Sequence, residues 1–113
     1  MIFHCHDREG VLITCSVQCW ENHILTEHPE MKGYEAHVKT TIEDPYQIYQ
    51  DSKHINQKVI YKPFILPKPY QQQYLRVALE YKMKKFRGLR GYVLSAYPSI
   101  NIKKGDILIW TAL

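Results

Sequence analysis

The sequence has little cysteine and no long apolar run, and each absence excludes a class of protein. It holds three cysteines, Cys5, Cys15 and Cys19, without a CxxC pair. An odd number with this spacing favours free thiols over a disulfide framework, so we expect a reducing, cytoplasmic location. No run approaches the roughly 20 apolar residues that span a bilayer, and the N-terminus lacks the layout of a signal peptide. We therefore expect no membrane partner.

Several motifs for cofactors and metals are also missing. There is no GxGxxG, P-loop or GxSxG sequence, and we predict no cofactor. The side chains nearest to a zinc pattern are His4, His6, Cys15, Cys19 and His23. The last three stack along two helical turns and cannot all reach one ion, so we predict no metal site and favour buried thiols. Cys19 and His23 also have the spacing of a nucleophile and its base, but Cys19 precedes Trp20 in the packed part of the helix.

Positive charge is concentrated in one segment. The chain has 15 Lys and Arg against 11 Asp and Glu, a net charge of +4. Residues 82–90 contain five cations and no acid, which leaves the rest of the chain close to neutral. Such a cluster is typical of a surface that binds a polyanion, most often a nucleic acid. The alternative is a solvated loop that its lysines keep soluble.

The apolar pattern predicts a single α+β domain over residues 1–113. Strands are predicted at 1–4, 11–15, 47–50, 58–64, 74–81, 92–97 and 107–110, and helices at 16–28 and 34–43. Ser16 is the expected N-cap of the first helix, and Pro29 ends it. The basic segment is predicted to be a long hairpin loop. This order indicates an N-terminal β-hairpin and two helices packed on a four- to five-stranded antiparallel sheet.

Alternation along the strands predicts a buried face and a free face. In the strand 74–81, Leu75, Val77, Leu79 and Tyr81 are expected to face the core. The free face is expected to carry Lys62, Arg76, Ser95 and Tyr97. In the strand 92–97, we expect Val93 on the same face as Ser95 and Tyr97, and Leu94 with Ala96 on the other.

The free face and the histidines of the first helix offer the groups that a metal-independent ribonuclease needs. His23 and His28, with Glu27, can take and give protons. Arg76 and Lys62 can hold the phosphate, and Ser95 and Tyr97 can donate hydrogen bonds to it. The cations that can bind flanking phosphates are Lys82, Lys84, Lys85, Arg87 and Arg90. Each group also has an ordinary interpretation: the histidines as structural residues, and Arg76 as the cross-strand partner of an acid.

Three short stretches resemble a known family. They are residues 23–31 (HILTEHPEM), residues 41–48 (TIEDPYQI) and the tripeptide 95–97 (SAY). They are similar to motifs of the phage- and mobile-element-associated branch of the barnase–EndoU–colicin–RelE (BECR) ribonuclease superfamily. There the pattern is H-I-x-x-x-H-P-E, then T-I-x-x-P-D-x-I, then a strand ending in T-A-Y. In this chain Ser95 replaces Thr, and Tyr46 replaces the usual Asp. The resemblance covers residues 20–97.

The resemblance implies a helix pair and an antiparallel sheet whose open face binds RNA. It also implies metal-independent cleavage through a 2′,3′-cyclic phosphate, in a toxin or effector that acts on mRNA or tRNA. Of the site residues, His23, His28, Ser95 and Tyr97 match its motifs, whereas Arg76 follows from strand geometry alone. We expect an RNA endonuclease and a neutralising partner with an acidic surface. The alternatives are an inactive RNA- or protein-binding module on the same scaffold, or a structural component with an apolar patch at residues 64–66.

Overall fold

Seven strands form one mixed sheet in the computed structural model, which describes residues 1–112. The strands are β1 (Phe3–His6), β2 (Leu12–Cys15), β3 (Gln47–Gln50), β4 (Gln57–Pro63), β5 (Tyr74–Lys84), β6 (Gly88–Ser99) and β7 (Ile107–Thr111). Their order across the sheet is β1-β2-β6-β5-β4-β3-β7. The α+β class is confirmed. The predicted sheet of four or five antiparallel strands is only roughly right, because the hairpin β1–β2 joins the same sheet and β2 pairs with β6 in parallel.

Two helices follow the first hairpin. Helix α1 consists of three consecutive segments: α-helical Val17–Cys19, π-helical Trp20–Ile24 and α-helical Leu25–Glu27. The Ser16 hydroxyl accepts a hydrogen bond from the Cys19 amide at 3.0 Å, which confirms the predicted N-cap. A short 3₁₀ turn, Pro29–Met31, follows, and helix α2 spans Glu35–Glu43. Among residues 1–112 no helix combines the length and apolar character that a membrane crossing requires.

The core lies between the helices and one face of the sheet. Leu75, Val77 and Leu79 of β5 are fully buried, as the alternation predicts. The helices contribute Trp20, Ile24, Val38 and Ile42 to the same cluster. Tyr81 ends the buried row, and its hydroxyl donates a hydrogen bond to Asp7 Oδ2 at 2.7 Å. This bond fixes the β1–β2 turn against β5.

The opposite face of the sheet is open over β5 and β6 but covered over β4. Val59 and Tyr61 point to this face and are almost fully buried. The Tyr61 hydroxyl accepts a hydrogen bond from the Lys103 amide at 3.2 Å, which ties the segment before β7 to this part of the sheet. The name "open face" therefore refers here to the outer surface of β5 and β6 alone.

A β-bulge in β6 changes which side chains face the core. Ala78 pairs with Ser95, but the next residue, Leu79, pairs with Val93, so Leu94 is an extra residue. One extra residue reverses the alternation, which puts Val93 in the core together with Ala96. The prediction that Val93 shares a face with Ser95 and Tyr97 is therefore wrong. Leu94, predicted on the face of Ala96, lines a groove beside Cys19 of α1.

Two further expectations about loops are also wrong. The basic segment is a hairpin of two paired strands, because β5 continues to Lys84 and β6 begins at Gly88, leaving a three-residue turn. The apolar patch expected at residues 64–66 does not form. Leu66 is buried and Ile65 packs against the core, so only Phe64 is exposed. Ile65 and Leu66 therefore contribute to the core of the fold.

Candidate active site on the open face

Arg76 and Tyr97 lie directly opposite each other on β5 and β6. The Arg76 guanidinium carbon is 5.2 Å from the centre of the Tyr97 ring. On its other side Arg76 pairs with Tyr61 of β4. The interpretation of Arg76 as the cross-strand partner of an acid is therefore wrong, since both of its neighbours are tyrosines. A guanidinium held over a ring keeps its N–H donors free for a ligand.

His28 is brought to this pair by the end of helix α1. Its ring stacks on Tyr97 with a centroid distance of 4.5 Å and an interplanar angle of 21°. The residue leaves the helix with φ −135° and ψ 71°, as expected before Pro29. Its Nδ1 atom is 3.8 Å from Glu30 Oε2, so a carboxylate lies beside the imidazole. Imidazole, phenol and guanidinium thus form one continuous group.

Arg76 has no acidic partner within the described chain. No carboxylate of residues 1–112 lies within ion-pair distance of its guanidinium, and its buried Nε has no hydrogen-bond partner there. A buried donor without a partner costs free energy, about 1–3 kcal/mol in typical cases. An anion bound to the accessible part of the guanidinium would supply the counter-charge that residues 1–112 do not provide. The electrostatics of the site therefore fit an anionic ligand.

Ser95 lies on the same face as Arg76 and Tyr97, two residue pairs further along the ladder. It is opposite Ala78, a small residue that leaves room above the sheet. The bulge at Leu94 comes immediately before it, so the orientation of Ser95 relative to the first half of β6 depends on that extra residue. Ser95 and Tyr97 are both half-buried. The structure thus places together four of the predicted site residues: His28, Arg76, Ser95 and Tyr97.

His23 is separated from this group. Its Nδ1 is 3.8 Å from Glu27 Oε1, and its side chain is half exposed. It lines a groove with Cys19, Asn22 and Leu94, and within residues 1–112 it makes no hydrogen bond, ion pair or ring contact with Arg76 or Tyr97. The difference arises because His28 has left the helix, whereas His23 remains on its π-helical turn. The expectation that both histidines meet the open face is wrong for His23.

Lys62 also lies elsewhere. It pairs with Leu75, a core residue, so it points to the helix side of the sheet. Its ammonium group donates to the backbone carbonyl of Asp44 and is 3.2 Å from Asp44 Oδ2. The prediction that Lys62 shares a face with Arg76 fails because the two-residue period pairs Tyr61, not Lys62, with Arg76.

The basic hairpin continues the open face outward. Lys82 and Lys84 alternate in step with Arg76 along β5, and Lys82 is opposite Arg90. The ammonium groups of Lys82 and Lys84 are 5.9 and 5.5 Å from the centre of the Tyr92 ring. Beside them is an open pocket with a volume of about 500 Å³. Its lining residues are Lys84, Lys85, Arg87, Arg90 and Tyr92, with Met1, Leu12 and Thr14. From Arg76 to Lys84 this stripe extends about 26 Å, at the usual rise per strand residue.

Tyr92 is a candidate binding residue that the sequence analysis missed. Tyr92 and Ser95 face the same side of the sheet although they are three residues apart. In a regular strand, residues on one face are separated by an even number of positions. Only the bulge reconciles the two positions. The signal available in the sequence was the aromatic residue close to the basic cluster, a combination that recurs in nucleic-acid interfaces.

The cysteines behave as structural residues. The Cys19 thiol donates a hydrogen bond to the carbonyl of Val93 at 3.0 Å, which holds α1 against the bulged part of β6. Burial raises the pKa of Cys5 to about 11, and the pKa of the buried Cys15 thiol is also raised, chiefly by its interaction with Cys19. Within residues 1–112, no group of three or more His, Cys, Asp or Glu side chains is placed to hold a metal ion.

Comparison of the chain with protein-family models, with curated proteins and with solved structures finds no match.

Proposed function

We propose that the protein is a metal-independent RNA endonuclease whose active centre is His28, Arg76 and Tyr97, with Ser95 beside them. One observation carries the proposal: the stack of His28 on Tyr97, next to a guanidinium without an acidic partner. An imidazole supplies proton transfer near neutral pH, and a free guanidinium binds a phosphate with two parallel hydrogen bonds. An imidazole beside a free guanidinium is the pair of groups that cleavage of a phosphodiester requires.

In the proposed reaction, the ribose 2′-oxygen attacks the adjacent phosphorus and the bond to the 5′-oxygen breaks. His28 removes the 2′-proton, and the Tyr97 hydroxyl gives a proton to the leaving 5′-oxygen. Arg76 stabilises the extra negative charge on the phosphate oxygens, with Ser95 as a further donor. The products are a 2′,3′-cyclic phosphate and a free 5′-hydroxyl. His23 has no place in this scheme, because it lies in a separate groove.

The proposed substrate is an RNA, either mRNA or tRNA. It would bind along the open face, from the active centre to the basic hairpin. Tyr92 and Tyr97 offer rings for base stacking along the path, and Lys82, Lys84 and Arg90 offer cations for phosphates. Lys82 also pairs with Glu80 at 3.4 Å, so it is partly neutralised. We further propose a cytoplasmic location, consistent with three free cysteines, and a neutralising protein with an acidic surface.

The test is cleavage of labelled total RNA and tRNA by purified protein in excess EDTA. We expect His28→Ala, Arg76→Gln and Tyr97→Phe each to lower the rate, His28→Ala by roughly 10²–10⁴-fold. His23→Ala is the matched control, since it removes a histidine from the same helix, and it should retain the wild-type rate within a few-fold. Equal loss in both histidine variants would contradict the proposed centre. Cleavage that EDTA abolishes would contradict the metal-independent mechanism.

A second candidate function is RNA binding without cleavage. The cationic and aromatic stripe favours it, because those residues suffice for binding whether or not His28 acts. Under this alternative, wild-type protein binds RNA and leaves it intact, and His28→Ala binds equally well. Gel-shift measurements on the same samples separate the two functions.

A further inference from the structure

The basic hairpin, residues 82–90, has a second surface, opposite to the one proposed to bind RNA. Met83 and Leu89 form a cross-strand pair on the side opposite to Lys82, Lys84 and Arg90. They lie beyond the end of the core, and their exposed fractions are 74% and 40%. The hairpin is therefore amphipathic: one face is cationic and the other is apolar. Its apolar face remains largely exposed at Met83, whereas the cationic face adjoins Leu12 of β2, which pairs with Arg90.

The turn of the hairpin exposes an aromatic side chain, that of Phe86. Phe86 is 96% exposed and has φ 66°, in the left-handed region that side chains other than glycine rarely adopt. Lys85 and Arg87 flank it in the turn, and the Lys85 ammonium is 5.3 Å from the centre of its ring. A turn of this kind normally favours Gly or Asn at such a position. Nothing in the fold itself calls for phenylalanine here.

We propose that the hairpin binds the surface of a bilayer that contains anionic phospholipids. In this arrangement Phe86 enters the boundary between headgroups and acyl chains, and Met83 and Leu89 follow it to a shallower depth. The five cations lie against the lipid phosphates, with long side chains that reach back to the headgroup layer. Interfacial attachment of this kind needs no apolar spanning run, so the expectation of no membrane partner does not extend to it.

The combination of groups favours a lipid surface over other anionic partners. RNA phosphates could pair with the cations, but RNA has no apolar surface that would cover Met83 and Leu89. A folded protein would need a pocket shaped for a protruding ring. A bilayer interface accepts an isolated ring without a preformed pocket, and its phosphates supply the negative charge. The inference does not rest on the proposed cleavage, since none of His28, Arg76 and Tyr97 takes part, although the lipid phosphates would contact cations that RNA is also proposed to use.

The test is sedimentation of the purified full-length chain with extruded vesicles. Two compositions are used, phosphatidylcholine alone and phosphatidylcholine with 30% phosphatidylglycerol. We expect binding only to the second composition, with a partition coefficient that falls as salt rises. Because each cation near an anionic surface contributes about fivefold, Lys85→Gln/Arg87→Gln should weaken binding roughly 25-fold. Phe86→Ser should weaken it about tenfold or more, given the apolar area that is lost.

Matched controls distinguish the hairpin from general surface effects. Phe64→Ser removes another exposed phenylalanine with positive φ, and Lys103→Gln/Lys104→Gln removes two exposed cations from the segment before β7. Both should bind as the wild type does. Insertion is read directly with Phe86→Trp, whose emission should be quenched by lipids brominated in the acyl chain. Equal binding to both vesicle types, no effect of Phe86→Ser, or absence of vesicle binding by a chain that still binds RNA would each overturn the proposal.

Discussion

The guanidinium of Arg8 lies 4.1 Å over the ring of Trp110 and thereby joins the two ends of the strand order. Arg8 belongs to the turn between β1 and β2, at one edge of the sheet, whereas Trp110 belongs to β7 at the other. Ile42, Ile48 and Ile60 lie beneath this contact, and together they enclose a cavity of about 130 Å³. The contact therefore joins the turn after the first strand to the last strand of the chain.

The Arg8–Trp110 contact should contribute measurably to stability. A cation–π pair at a partly exposed site is typically worth about 0.5–1 kcal/mol. We expect Arg8→Ala to lower the free energy of unfolding by about that amount, and a double-mutant cycle with Trp110→Leu to show coupling of the same size. Arg87→Ala, which removes an exposed arginine from the hairpin turn, should change stability by less than about 0.5 kcal/mol. Urea titrations of the four variants check this; zero coupling would contradict it.

The hydrogen bond from Tyr81 to Asp7 predicts a loss of stability at alkaline pH. Burial and the neighbouring Asp7 carboxylate raise the pKa of Tyr81 above its ordinary value near 10. The folded state therefore keeps the phenolic proton at pH values where the unfolded chain releases it. Stability should fall as pH rises above about 10, by up to 1.36 kcal/mol per pH unit for this one proton.

Replacing Tyr81 by Phe isolates its contribution to that slope. Tyr81→Phe should cost about 1–3 kcal/mol at neutral pH, because Asp7 loses a donor in a half-buried position. Above pH 10 the difference in unfolding free energy between wild type and variant should shrink. Only the wild type has a phenol at residue 81 that the unfolded chain deprotonates and the folded chain does not. Unfolding free energies at pH 7 to 11 measure this; a constant difference across the range would be the contrary result.

Gly91 is a position where packing, not backbone conformation, requires glycine. A Cβ atom there would lie 2.3 Å from Ile13 Cδ1 and 3.3 Å from a Tyr81 ring carbon. Gly91→Ala should destabilise the protein by about 1–3 kcal/mol through overpacking. Ile13→Val removes the clashing methyl group, so the double variant should be more stable than the sum of the two single changes predicts. Strict additivity in thermal or urea unfolding would show that the clash relaxes elsewhere.

The elements that could be predicted from sequence are those with a local signal. The alternation of Leu75, Val77 and Leu79 located β5 and its buried face, and Ser16 and Pro29 marked the limits of the first helix. The parallel pairing of β2 with β6 left no such signal, because residues 12–14 and 90–92 are far apart in the chain. The apolar run at residues 107–110 predicts the last strand, but its pairing with β3 joins residues that are equally far apart in the chain.

The candidate site was predicted in part for the same reason. Regular alternation predicts that Arg76 and Tyr97 share a face, and they do, because the bulge at Leu94 lies outside the stretch from Ser95 to Tyr97. Lys62 was misplaced by one residue, which in a strand means the opposite face. His23 and His28 looked equivalent on a helix. The φ and ψ angles that separate them arise at the His28–Pro29 junction, where the chain leaves the helix.

The salt dependence of RNA binding tests the path along the open face. For single-stranded RNA, log K falls against log salt concentration with a slope of about −0.7 for each phosphate that a cation neutralises. Lys84→Gln and Arg90→Gln should each make the slope shallower by about 0.7, because both side chains lie on the stripe that leads from Arg76. Lys62→Gln is the matched control: it removes one positive charge from the opposite face, where Asp44 already holds the lysine. Fluorescence anisotropy at several salt concentrations measures all three slopes. A shallower slope for Lys62→Gln, with no change for the other two, would place the RNA on the helix side of the sheet and would remove the physical basis for assigning phosphate binding to Arg76.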